Sequence, residues 1–147
     1  MNDKKCFFIG NRHAPSSIKE HLIEVVERHI IEYGVNTFAV GCYGNFDNIV
    51  QSVLREAKNQ HSDIKIYLLS PYALNRRIEV PKNFDGILYP NGLETVPKPY
   101  AIVYANKYMV QNSDYLITYC HNIGNTRNIV EYAKRREKKG LIMVTLL

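Results

Sequence analysis

Short runs that are apolar at almost every position alternate along this chain with longer segments that are apolar on one face only. Lys5 to Gly10 (KCFFIG) reads as a strand. Pro15 to Gly34 reads as a helix, with Ile18, Leu22, Val25, Val26 and Ile30 on one face. Ser16 or Ser17 is placed to cap it, Glu20 follows within the first turn, and Gly34 closes it. Asn36 to Cys42 (NTFAVGC) predicts a second strand. Asn45 to His61 predicts a second helix carrying Ile49, Val50, Val53, Leu54 and Ala57. Ile64 to Tyr72 (IKIYLLSPY) predicts a third strand.

Asn75 to Pro99 breaks the rhythm. It is rich in Pro, Asn and Gly and holds one apolar island, DGILYP (Asp85 to Pro90), a candidate strand. The alternation then resumes with a helix at Tyr100 to Ser113 and a strand at Asp114 to Cys120. A helix at Asn125 to Gly140 and a last strand at Leu141 to Leu147 complete it. Strands without a polar face, separated by helices, predict a parallel sheet buried on both sides. The expected fold class is therefore α/β: one Rossmann-like, doubly wound, mainly parallel sheet flanked by helices. No internal repeat or long linker divides the chain, so residues 1–147 are expected to form one domain.

Composition narrows the functional classes without selecting one. A hydrophobic fraction of 46% and a charged fraction of 22% fit a globular domain and leave no stretch biased enough for disorder. No run is long enough for a membrane span, and the N-terminal apolar run is too short for a signal peptide. The three cysteines, Cys6, Cys42 and Cys120, are scattered and odd in number. That argues for reduced thiols in a cytoplasmic setting and against a disulfide frame or a zinc site. No metal or cofactor is expected. The net charge of +5 permits an anionic partner. Much of the excess, however, sits in Lys134 to Lys139 (KRREKK), where a helix C-terminus and solvent account for it.

In a doubly wound sheet the ligand lies beyond the C-terminal ends of the strands. Three polar turns fall there: Gly10-Asn11-Arg12-His13, Gly41 to Asp47 (GCYGNFD), and Gly124-Asn125-Thr126. Glycine turns that open a helix expose backbone N–H groups and the positive end of its dipole, which suits phosphate. Taken singly, each turn is explained as well by tight chain reversal. Arg12 can hold a phosphate or carboxylate in a fork, or serve a structural ion pair. His13 has no visible partner. Asp47 can accept from a ribose hydroxyl or simply complement the helix dipole. Tyr43, Phe46, Tyr72 and Tyr119 can stack on a base or pack at the rim. Asn11, Gly44 and Asn45 complete the candidate ligand-binding set.

These strand-end residues resemble the SLOG superfamily, Rossmannoid nucleotide-binding proteins that include the LOG-type phosphoribohydrolases. The nearest likeness is to small bacterial members that open with T-G-H-R. IGNR (Ile9 to Arg12) takes that place and keeps Gly10 and Arg12. The family's G-G-A-x-G-x-D is matched loosely by GCYGNFD, with Gly41 and Asp47 in step, Cys42 in place of the second glycine and Gly44 one residue early. ANKYMVQNSD echoes R-N-x-x-M-V-D-x-S-D, keeping Asn106, Met109, Val110, Ser113 and Asp114. GNTRNIVEYAK stands for the G-G-T and V-x-Y-A-K patterns of the last helix. The likeness covers nearly the whole chain through short motifs. It implies loops that bind a nucleotide, a nucleotide sugar or an NAD-derived signal molecule, and it implies a homo-oligomer.

The departures bear on catalysis. The acids that act at the N-glycosidic bond in LOG-type enzymes and deoxyribosyltransferases fall here at Asn128 or Ile129, which cannot serve as base or nucleophile. Glu131 is rotated off that face of the helix. An acid would have to come from Asp47 or Glu94. The leading expectation is a module that binds a nucleotide-type small molecule, as sensor or sequestering agent. An N-glycosidic-bond hydrolase or transferase is the second reading, and single-stranded nucleic-acid binding the third. Arg76 and Arg77, in the Asn75 to Pro99 segment, are candidates for a lid.

Overall fold

A computed structural model describes residues 3–70, 79–121 and 124–147. Six strands form one sheet: β1 (Lys5–Gly10), β2 (Thr37–Val40), β3 (Lys65–Leu69), β4 (Gly86–Leu88), β5 (Tyr115–Tyr119) and β6 (Met143–Leu146). Four helices flank it: α1 (Lys19–Ile31), α2 (Asn45–Gln60), α3 (Ala101–Gln111) and α4 (Asn125–Lys138). The strand order is β4-β3-β2-β1-β5-β6, and every pairing is parallel. This is the expected doubly wound α/β architecture. The island at Asp85 to Pro90 supplies β4, which pairs with β3 at the edge.

The two directions of winding explain the two layers of helices. The chain steps from β1 to β2 to β3 in one direction and from β1's other neighbour, β5, to β6 in the other. Right-handed crossovers then lay the helices on opposite faces. Leu22, Val25 and Val26 of α1 and Val50, Val53 and Leu54 of α2 pack with Cys6, Phe8, Phe38 and Ile66. Ala105, Met109 and Val110 of α3 and Ile129, Val130 and Ala133 of α4 pack with Phe7, Ile9, Ala39 and Leu116. Successive residues of β1 thus feed opposite cores, which is why that strand carries no polar face.

All four helices are shorter than the segments expected, α1 most of all, at both of its ends. The chain enters α1 through a 3-10 turn at Ser16–Ile18, and neither serine caps the helix with its side chain. Gly34 does turn the chain out, at φ +70°, and Val35 N donates to His29 O at 2.9 Å. At the sheet edge Asp85 accepts from Ile66 N at 2.8 Å and pairs with Lys58, tying α2 to β3 and β4.

The strand order reverses between β1 and β5. Asn11 stitches that seam: its N–H donates to Tyr119 O at 2.9 Å, and its side-chain Oδ1 accepts from His121 N at 2.7 Å. This bridge closes the seam at its C-terminal rim, beside the cleft that Gly10, Arg12 and Asn125 line.

Candidate functional site

Beyond the C-terminal ends of β1 and β2 lies a cleft of about 230 Å³. The β1–α1 turn contributes Gly10 and Arg12, and the β2–α2 turn contributes Gly41, Tyr43, Gly44 and Asp47. The start of α4 contributes Asn125 and Thr126. The three turns singled out by sequence therefore converge on one space. A further wall comes from α3 and the 3-10 turn ahead of it, Lys98–Tyr100, through Pro99, Ile102, Val103 and Asn106.

Four glycines in these turns do different jobs. A Cβ on Gly10 would overlap the Phe46 ring, so that glycine lets the first turn of α2 sit over the end of β1. A Cβ on Gly41 would lie 2.8 Å from Tyr43 Cε2 and 3.2 Å from Asp47 Oδ2. One on Gly44 would lie 2.7 Å from Arg12 Cα. All three serve packing of chain on chain. Gly124 is the exception: it adopts φ +146°, where L side chains are strained, and among the described residues, its chain neighbours aside, no atom stands within 4 Å of the place its Cβ would take. Of the four, it alone leaves open space, at the N-terminus of α4.

Asp47 is the main electrostatic feature. It is 8% exposed, and Oδ2 accepts from Tyr43 N at 2.9 Å. Burial pushes its carboxyl up to about 6, against the pull of that N–H. The acid is thus half-protonated near pH 6 and mostly ionised at pH 7, within reach of giving or taking a proton. Its carboxylate turns back to the Tyr43 amide, more specific a role than dipole complement. Cys42 stands beside it, exposed as a residue but with its thiol partly desolvated; that desolvation and the Asp47 charge push the thiol up, which favours its protonated form. Gln51 Nε2 donates to Gly41 O at 3.0 Å and holds the turn in place.

Arg12 is exposed at the mouth of the cleft and has no ion pair among the described residues. Its backbone is held: Asn45 N donates to Arg12 O at 2.9 Å. The guanidinium is thereby left available while its anchor is fixed.

Several predicted ligand residues are spent on structure. The Asn11 side chain bridges β1 to β5, and Asn45 Nδ2 donates to Ala14 O at 2.6 Å. Tyr119 lies at the α1/α2 side with its ring 4.3 Å from that of His121, away from the cleft lining. Glu94 stands exposed on a 3-10 turn, Leu93–Thr95, and does not line the cleft. His13 is exposed. Asn128 is exposed, and Ile129 is buried in the core, so neither supplies an acid. Glu131 meets Arg127 at 3.4 Å. Tyr72, Arg76 and Arg77 lie outside the described residues.

Of the ANKYMVQNSD echo, Asn106 alone reaches the cleft. Met109 and Val110 are core, and Asp114 Oδ2 accepts from Lys5 N at 2.9 Å at the far end of the sheet. Asn106 carried a signal that sequence reading passed over: a polar residue, 8% exposed, on the face that Ala105, Met109 and Val110 bury.

A larger cavity, about 560 Å³, lies at the opposite, N-terminal end of the sheet, between it and the end of α3. Lys5, Thr37, Lys65, Tyr67 and Tyr108 line it. Among the described residues no helix starts there, whereas the smaller cleft joins a cation without an ion pair, a buried acid and a helix N-terminus. Chemistry, not volume, singles out the smaller one. Among the described residues no three His, Cys, Asp or Glu side chains converge as a metal site, and no helix is long and apolar enough to cross a membrane. Comparison with protein-family models and with curated proteins finds no match to this chain.

Proposed function

We propose that the chain binds a nucleotide or nucleotide-derived small molecule at the C-terminal edge of its sheet, as a sensor or sequestering module. The observation that carries this reading is the meeting of three unlike groups around one cleft. Arg12 offers an uncompensated charge, Gly124 leaves the first turn of α4 open to an anion, and Asp47 offers a buried acceptor. Phosphate would sit between Arg12 and the start of α4, with Asp47 taking a ribose hydroxyl and Tyr43 beside the base. The SLOG resemblance points the same way.

Calorimetric titration with AMP and ADP-ribose tests this. Arg12→Ala should weaken binding by about 1.5–3 kcal/mol, the worth of a charge-assisted hydrogen bond, without lowering stability. Unchanged affinity would remove Arg12 from the site.

One observation favours a second reading, cleavage or transfer at an N-glycosidic bond. An acid at about 6 in a cleft suits general acid–base work near neutral pH. Chromatography of AMP and NAD after long incubation separates the two. Intact ligand means capture; free base and sugar phosphate, lost in Asp47→Asn, would mean catalysis.

A further inference from the structure

Val103 and Asn125, which line the cleft, also line a groove between α3 and α4, of about 290 Å³, so the two spaces adjoin at these residues. The groove adds Lys107, Tyr132 and Arg135. Lys107 Nζ stands 5.8 Å and the Arg135 guanidinium carbon 5.9 Å from the centre of the Tyr132 ring, with that of Arg136 also at 5.9 Å. Gln111 Nε2 donates to the Tyr132 hydroxyl at 2.9 Å, which fixes the ring.

Charge in the groove is not balanced. Neither Lys107 nor Arg135 has an ion pair among the described residues, and the one acid of the lining, Glu131, is drawn back to Arg127. Two exposed cations therefore flank an aromatic ring beside the candidate site, and among the described residues no carboxylate pairs with either. Size points the same way. At about 230 Å³ the cleft alone is smaller than the usual range of ligand sites, roughly 300–1,000 Å³, and the two chambers together fall within it. Asn125, in the first turn of α4, stands at their junction.

We propose that Lys107, Arg135 and Tyr132 form a second anion subsite adjoining the first, and that the ligand is a dinucleotide whose second phosphate-bearing half lies between α3 and α4. This rests on the nucleotide reading above and goes beyond it by naming the ligand's second half and the residues that select it. A pyrophosphate-linked and a phosphodiester-linked dinucleotide share this chemistry.

The test is calorimetric titration at fixed low salt with AMP, NAD and 5′-phosphorylated diadenylate. One of the two longer ligands should bind about tenfold or more tightly than AMP, and which one gains identifies the linkage. Lys107→Ala combined with Arg135→Ala should abolish that advantage and leave AMP affinity unchanged. Both positions are exposed on helices where alanine is favourable, so the fold should persist, as circular dichroism would verify. Glu131→Gln should increase the advantage. If AMP binds and the longer ligands gain nothing, or the gain survives the double substitution, the second subsite is overturned and the nucleotide reading stands. If none of the three binds, both fall.

Discussion

The carboxylate of Asp47 accepts the backbone N–H of Tyr43 at 2.9 Å, across the turn that joins β2 to α2. This bond closes the turn upon itself, and it fixes the one buried acid of the cleft against the loop that offers an aromatic ring. The same contact joins stability to chemistry, since the acid is buried at a cost that its single amide donor only partly offsets.

That cost should be measurable. The folded pKa of about 6 lies above the unfolded carboxylate value near 3.8, so the native state holds the proton more tightly. Stability contributed by this group is present at low pH and is lost as pH rises from about 4 through 6. Asp47→Asn keeps an oxygen for Tyr43 N and removes the charge. It should stabilise the protein by about 1–3 kcal/mol at pH 7–8, with the gain fading toward pH 4. Urea unfolding at a series of pH values reads this directly. A gain independent of pH would mean that the charge is not the cause. Stabilisation with loss of ligand binding would mark Asp47 as kept for function at the expense of stability.

His29 tilts stability the other way. It is buried on α1, its Nδ1 bonded to Val25 O at 2.7 Å and its Nε2 buried without a partner. Its ring meets the edges of Tyr33 and Tyr115, which stack on each other at 5.5 Å. Burial, offset in part by the Val25 carbonyl and aided by Arg28, lowers its pKa below the ordinary value of about 6.5. The native state therefore excludes the proton, and stability should fall as pH drops below about 6.5. In Asp47→Asn, where the opposing slope is gone, this acid limb should become steeper. Unfolding curves of that variant between pH 4 and 7 would expose it; a flat profile there would remove His29 as an acid-labile group.

Gly10 and Gly124 should respond differently to alanine. At Gly10 the new methyl meets the Phe46 ring, so α2 must shift, and the cost is expected at about 1–3 kcal/mol. At Gly124 the methyl meets nothing among the described residues, its chain neighbours aside, but φ +146° strains it, which costs about 1–3 kcal/mol and narrows the mouth of the site. Thermal unfolding in the presence and absence of ligand distinguishes them. Gly10→Ala should lose stability while a bound nucleotide still raises the melting temperature. Gly124→Ala should lose most of that ligand-induced rise. Equal ligand shifts in the two variants would contradict the assignment of the open helix terminus to the ligand.

The alternation of two-sided apolar runs with one-sided helical segments was enough to determine the α/β class and a mainly parallel sheet, and it marked as a candidate the island that holds the short edge strand at Gly86–Leu88. It also marked the turns at Gly10, Gly41 and Gly124, because residues that follow a buried strand must leave the sheet at one edge whatever their neighbours. What a side chain does after the chain turns depends on which strand stands beside it, and local periodicity carries no record of that order. Only the juxtaposition of β1 with β5 spent the Asn11 side chain on His121, and only the placement of α2 over β1 used Gly10 for Phe46. The path of α3 back across β1 brought Asn106 and Val103 to the cleft, from a helix whose pattern reads as core. Fold class follows from local burial, which each segment encodes for itself; the working site follows from contacts between segments far apart in sequence, which only the folded arrangement decides.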